Sequence, residues 1–488
     1  MLENDERNIC HNCVGEAYLS ALIEREGEIG ACSYCKDDEE PCIPIEDLAG
    51  HIDGAFERHY DRTSPDPDGY ESMLLRDKEL AYDFERHGEP VLYAIGDAAL
   101  IDEEPAQDVL DILKEQYSDF ESAQMGEECE FDADSHYEEK AIADHEFAFE
   151  FRAIERSLKS QARFFNRGAE EFLNRIFADL DGRTAGDGRP VIVTAGPDAK
   201  IRGFFRARVF HHSEELDQAL VRPDLHLGPP PSRIARAGRM NAHGISVFYG
   251  ASDPGVALAE VRPPVGSRAL VGRFELVCPV RLLDVEALRS VYAEGSIFDP
   301  SYVEQLALAK FLGRLSDRIT MPVMPDDEPT EYLITQTIAD YLARRPEPGL
   351  DGILFRSVQR PGEHQNVVLF NHASKVAELE FPEGTELSAH QYDETEDGPE
   401  SDYWVWEETP PEPEEAADEE EEEEDGFFGL NAMLEPPDFA FSEDADFRED
   451  FLRVDTAQVS VHHVKGVTFD VDEFEVRRRR SEKRKLPF

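Results

Sequence analysis

No run of about 18 consecutive apolar residues occurs in the 488 residues of this chain, so no membrane-spanning helix is expected. Positive charge is also scarce. The chain holds 49 Lys and Arg against 107 Asp and Glu, a formal balance of −58. Wholesale nucleic-acid binding needs a basic face for phosphate contacts and is not expected. The first residues, MLENDERNICHNC, lack the basic and apolar parts of a signal peptide, which points to a cytoplasmic protein. Only seven cysteines are present, and four of them stand in two CxxC pairs. That usage fits metal ligands better than a disulfide framework.

The length allows two or three domains, and a hydrophobic share of 40% builds a sizeable core in some regions but not all. Residues 1–45 form a cysteine-rich head. Residues 46–188 are mostly helical in pattern: IEDLAGHIDGAFERHY, AQDVLDILKEQYSDF and FRAIERSLKSQARFFNRGAEEFLNRIFADL place apolar residues at three- and four-residue spacing. The Gly-rich DGRTAGDGRP closes this region. Strand-like pieces then alternate with helical ones. PVIVTA, FFRARVF, ISVFYG, LVGRFELV and RLLDV read as strands, VEQLALAKFLGRL and EYLITQTIADYLAR as helices, and GILFRSV and NVVLFN as two more strands. This mixture predicts an α+β domain over 190–390.

Residues 391–425 contain 19 acids and no Lys or Arg, including the unbroken run Asp418 to Asp425. An acidic disordered insertion over 391–445 is expected, because such charge opposes collapse. Residues 446–476 read as a segment returning to the α+β domain, with VSVHHVKGVTFDV as its strand. A basic tail, 477–488, ends the chain.

Cys10 and Cys13 are separated by eighteen residues from Cys32 and Cys35. Each CxxC turn aims two sulfurs at one ion, and two such turns complete a tetrahedron, so a structural zinc site is predicted. His11 and Cys42 are the less favoured substitutes. Four thiolates leave no position open for a substrate.

From Lys200 to Leu288 the balance reverses, with twelve Lys and Arg against nine Asp and Glu, a net of +3. Within this segment, AGRMNAHGISVFYGASDPGVALAEVRP spans residues 237–263. Residues 245–249 alternate as a half-buried strand, Asp253 or Ser252 caps a helix begun by Pro254, and Glu260 stands among the apolar Val256, Leu258, Ala259 and Val261. An Arg and a Glu delivered by a strand and a helix suit an anionic substrate with a cationic reaction centre. Taken singly, each residue has a plainer reading. Glu260 is then a surface residue of a short helix, and Arg206 a strand residue paired with Glu214 or Glu215.

The stretch resembles the core of the RES domain, named for an Arg, a Glu and a Ser. FFRARVF supplies the early Arg, best matched by Arg206, with Arg208 two residues on and on the same strand face. GRMN supplies Arg239, FYGAS supplies Tyr249 and LAEV supplies Glu260. LDGILFRSVQRPGEHQNVVLF supplies Ser357 and then Asn366. The head, CHNCVGEAYLSALIEREGEIGACSYC, resembles the HEPN-like N-terminal domain that accompanies some bacterial RES domains. The resemblance implies a fold similar to ADP-ribosyltransferases and NAD as substrate, degraded by hydrolysis or phosphorolysis in a toxin or defence effector with an antitoxin or immunity protein as partner. It implies catalytic roles for Arg206, Glu260 and Ser357, and binding roles for Arg208, Arg239, Tyr249 and Asn366. Two alternatives stand beside it: ADP-ribose transfer to a macromolecule, and a nucleotide-binding regulatory module without catalysis. Ribonuclease activity is not expected, since residues 45–185 contain no Arg followed by His after a gap of four to six residues.

Overall fold

The computed structural model describes residues 7–77, 80, 82–118, 128–345, 348–360, 362, 364–395, 398–411, 446–468 and 471–480. The chain divides into two compact units, Met1–Val191 with Ala287–Ile319, and Ile192–Glu286 with Thr320–Phe488. The expected 190–390 domain is therefore interrupted. Residues 287–319 contribute their helix to the first unit, where Phe311 packs on Phe147, Phe151 and Phe172.

The first unit is mainly helical, with small antiparallel sheets. Its cysteine-rich head is not a separate domain. Ile9, Leu19 and Ile23 share one buried core with Leu48 and Ile52 of the helix Ile45–His59 and with Val109 and Leu113 of Glu103–Tyr117. The helical pattern over 151–180 is broken into His145–Ser160 and Arg167–Ile176. Phe164 and Phe165 lie exposed in the break, and Phe165 has a φ of 55°. Asn166 caps the second helix, accepting from the N–H of Ala169 at 3.2 Å.

The second unit is built on an eight-stranded sheet. Its strands are β1 (Ile192–Ala195), β2 (Gly203–Phe210), β3 (Phe248–Ala251), β4 (Arg268–Leu276), β5 (Val280–Asp284), β6 (Gly352–Arg356), β7 (Gln365–Leu369) and, near the end of the chain, Leu452–His463. A separate two-stranded hairpin, β8 (Glu386–Thr395) with β9 (Gly398–Glu408), precedes that last strand, β10. The sheet order is β10-β4-β2-β3-β7-β6-β5-β1, and all neighbours are antiparallel except β5 and β6. The buried face carries Phe204, Phe248, Phe274, Leu354 and Val367. Phe248 and Phe274 meet edge to face at 5.1 Å, a geometry that contributes about 1 kcal/mol beyond area burial.

One feature of this sheet prepares the site. β2 and β3 pair at a single position, Phe205 with Ala251, whereas β2 pairs with β4 over eight. The sheet opens between β2 and β3, and a cavity forms there. Strand β3 itself begins only at Phe248. Ser246, Val247 and Phe248 are buried in succession, so the apparent alternation over 245–249 is not a half-buried strand.

The acidic segment expected to be disordered from 391 begins as ordered structure. A run of aromatic and β-branched residues inside the charge is the reason. Ser388 faces Trp406, Ala389 faces Val405 and His390 faces Trp404, with the last pair stacked at 3.9 Å. Such cross-strand pairs stabilise a hairpin in spite of its net charge. Buried Gln391 fastens it, donating to the carbonyl of Ser213 at 3.0 Å and to Asp217 at 2.6 Å, and accepting from Arg268. The run Asp418–Asp425, the rest of 412–445 and the end of the basic tail, 481–488, lie outside the described residues.

Candidate functional site

Glu260 is the last residue of a short helix, Pro254–Glu260. Of the two expected caps, Asp253 serves: its carboxylate accepts from the N–H of Gly255 at 2.9 Å and of Val256 at 3.0 Å, and pairs with His364 at 2.8 Å. Pro254 takes the first position, where its missing N–H is no loss. The Arg360 guanidinium lies against Gly255, where a Cβ would have to displace that side chain.

Glu260 is exposed, unlike the buried position its apolar neighbours imply, yet its carboxylate is held. Ser357 donates its hydroxyl and Asn366 its amide N–H to the same oxygen, Oε1, each at 2.7 Å. Both donors are buried, at 4% and 6% exposure, on backbone fixed by the sheet. Ser357 follows β6, and Asn366 lies in β7 between Phe355 and Ala251 of the flanking strands. Among the described residues nothing bonds Oε2, which is left for a ligand. The amide orientation of Asn366 follows from charge, because a flipped amide would set oxygen against carboxylate. Its Oδ1 is buried without a partner.

The cavity beside this carboxylate has a volume of about 530 Å³, within the range of small-molecule sites. Of the expected residues, Arg206, Arg239, Tyr249, Glu260 and Asn366 line it. Ser357 stands behind Glu260 and is absent from the wall. Arg208 is also absent from it. It is exposed and donates to the carbonyl of His226 at 2.9 Å, which separates the two candidate arginines of β2.

Arg206 sits over the Phe248 ring at 5.3 Å and reaches the Tyr249 carbonyl at 3.5 Å. Among the described residues no carboxylate pairs with it, neither Glu214 nor Glu215. Burial, with help from the like charge of Arg208, pushes its pKa down to about 10 while nearby Tyr249 opposes the fall. It therefore stays charged at neutral pH. A cation desolvated without a counter-charge is destabilising until an anion arrives, which is the condition of a binding group.

Tyr249 presents its ring to the cavity, but its hydroxyl is engaged. It donates to Asn241 Oδ1 at 2.8 Å and accepts from the N–H of Met240 at 3.1 Å. Burial drives this phenol up to about 12. Asn241 donates in turn to the carbonyls of Arg236 and Ile245, both at 2.9 Å. Gln336 donates to the carbonyls of Gly238 and Asn241, and Thr335 to that of Arg239 at 2.6 Å. The GRMN turn is thereby fixed, and it sets the Arg239 guanidinium 5.7 Å over the ring of Tyr332. Tyr332, Glu328 and Arg262 also line the cavity. Sequence reasoning assigned them no role. Their signal was weak: a lone Arg in EVRPP and two polar residues near the start of a helical pattern.

In the first unit, Cys10, Cys13, Cys32 and Cys35 place their sulfurs within 4.8 Å of one another, and this cluster can hold a metal ion. Sulfur separations of 3.6, 3.6 and 3.8 Å approach the edge of about 3.8 Å that a tetrahedron with metal–sulfur bonds of about 2.3 Å requires. Burial raises Cys10 to about 11 and drives Cys13 higher still. At Cys32 burial acts the same way, but hydrogen bonds from the backbone of Cys35, Tyr34 and Cys10 outweigh it and bring the thiol down to about 7. The two substitutes are engaged elsewhere: His11 pairs with Glu40 at 2.8 Å, and Cys42 points at the carbonyls of Gly30 and Glu40.

Residues 207–390 match the family model of the RES domain. The chain thus carries a RES domain, and the match starts one residue after Arg206. No curated protein and no solved structure matches the chain. No helix among the described residues is long and apolar enough to cross a membrane.

Proposed function

We propose that the second unit cleaves the nicotinamide–ribose bond of NAD, with water or inorganic phosphate as acceptor. The observation that carries this reading is the carboxylate of Glu260, clamped by one oxygen and open at the other, beside a cavity walled by arginines. As the bond breaks, nicotinamide leaves with the electron pair and positive charge grows on the ribose. Glu260 Oε2 faces that charge and stabilises it, or takes the proton of the attacking water. Ser357 and Asn366 act through Glu260, as positioning residues. Arg206 and Arg239 hold the pyrophosphate, whose paired oxygens suit the planar fork of a guanidinium better than an ammonium group. Tyr249 offers its ring to a nicotinamide or adenine face, and Arg208 has no part in the wall.

The opening of the sheet between β2 and β3 supports a fold similar to ADP-ribosyltransferases. Within the same reading, zinc occupies the four-cysteine cluster, the first unit is the HEPN-like accessory domain, and the protein is a cytoplasmic toxin or defence effector restrained by an antitoxin or immunity protein.

The test is nicotinamide release from NAD by the full chain, with and without phosphate, beside Glu260→Ala. Release that falls about 10³-fold in the variant, with unchanged thermal stability, supports the reading. Phosphate dependence names the acceptor. Label retained on protein or nucleic acid would replace degradation with transfer. Binding of NAD without any nicotinamide release would leave a regulatory module.

A further inference from the structure

Arg262 stands two residues beyond Glu260, just past the end of the helix that carries it, and its side chain is exposed on the cavity wall. Among the described residues no carboxylate pairs with it. Its backbone is unusual. The φ of 44° lies in the left-handed region, which glycine enters freely and other residues resist. The next residue is Pro263, and a proline drives the residue before it toward extended conformations. Local preference thus opposes arginine here twice over. Strain of this kind persists where the surrounding structure over-determines it, and it clusters at ligand sites.

The neighbours say what this position can bind. The Tyr249 hydroxyl lies in the field of both Arg206 and Arg239, and the Tyr332 hydroxyl, which donates to Glu328 at 3.1 Å, also in that of Arg239 and Arg262. The wall therefore runs Arg206, Tyr249, Arg239, Tyr332, Arg262. Three guanidinium groups and two aromatic rings line the cavity, together with Glu260, two residues before Arg262, and Glu328. A ligand matching this wall carries more than one phosphate oxygen cluster and flat ring systems beside them.

We propose that Arg262 is a phosphate-binding residue of the cavity, held in a strained backbone so that its guanidinium reaches the ligand close to Glu260. The phosphate comes either from the pyrophosphate of the dinucleotide or from free inorganic phosphate. The assignment to a dinucleotide rests on the NAD reading above, whereas the anion site itself rests on the cavity alone.

Two full-length variants test it. Arg262→Gly removes the charge and relieves the strain. Arg262→Gln removes the charge and keeps the strain. Binding is followed by calorimetry with two probes, ADP-ribose and inorganic phosphate, and thermal unfolding is recorded in parallel. The expected result is a loss of about tenfold or more in affinity for at least one probe in both variants, with the glycine variant as stable as the parent or more so. Weakened ADP-ribose binding identifies the pyrophosphate as the source. Weakened phosphate binding alone identifies the free anion. Parental affinity for both probes in the glutamine variant overturns the proposal, as does a parent chain that binds neither probe. A parent that binds ADP-ribose yet releases no nicotinamide refutes the catalytic reading and leaves this one standing.

Discussion

The two units place their chemistry in opposite states. The cysteine cluster of the first unit is closed: four sulfurs face one another, and an ion bound among them would have no position left. The cavity of the second unit is open. Glu260 keeps a free oxygen, Asn366 keeps a buried unpartnered one, and Arg206 and Arg262 lack carboxylate partners among the described residues. Polar groups that satisfy each other hold a fold together. Polar groups left unsatisfied in a cavity are destabilising alone and become favourable when a ligand supplies the missing partner. The contrast sets a closed cluster apart from a cavity with unpartnered polar groups, without reference to any relative.

The sharpest way to break the comparison is to open the closed site. Cys13→Ser, or treatment with a strong chelator, should remove the metal and lower the unfolding temperature of the first unit by at least about 10 °C, because such sites bind with about 10 kcal/mol or more. Metal analysis and calorimetry check this. Retained stability in metal-free protein would make the cluster a set of free thiols.

A smaller effect should come from loosening the clamp in the open site. Ser357→Ala and Asn366→Ala each remove one donor to Glu260 Oε1. Each should lower kcat about 10- to 100-fold with little change in KM, and the double variant should fall short of the product, since both act through one oxygen. A rise in KM alone would show that these side chains touch substrate instead.

The mildest test uses pH. Desolvation and Arg208 depress Arg206, so its folded pKa lies below its unfolded one. As pH rises through about 10 the group loses its charge, and ADP-ribose affinity should weaken there. Arg208→Gln removes the like charge and should move the inflection to higher pH. An unmoved inflection in calorimetric titrations would mean that another group governs binding.

How much of this was legible in the sequence depends on distance along the chain. The cysteine cluster was readable because each knuckle is a local turn of four residues. The cap at Asp253 was readable for the same reason. The clamp was only partly so. The family resemblance picked out Glu260, Ser357 and Asn366, but not that the last two both donate to one oxygen of the first. Arg262 went without a role because no residue pattern reports its positive φ or its place on the cavity wall. The hairpin of β8 and β9 was hidden by counting charge, which obscured the run of aromatic and β-branched residues Tyr403, Trp404, Val405 and Trp406.

By itself the sequence determined what neighbouring residues settle between them: the metal-binding spacing, the helix starts, the strand-like runs and the acidic balance. Tertiary structure alone decided where the sheet opens, which oxygen of Glu260 stays free, which arginine of β2 faces the cavity, and that 287–319 joins the first unit. The reason is physical. Local patterns fix conformations through short-range sterics and hydrogen bonds, but whether a buried polar group finds a partner depends on side chains about a hundred residues away, as Glu260 depends on Ser357 and Asn366.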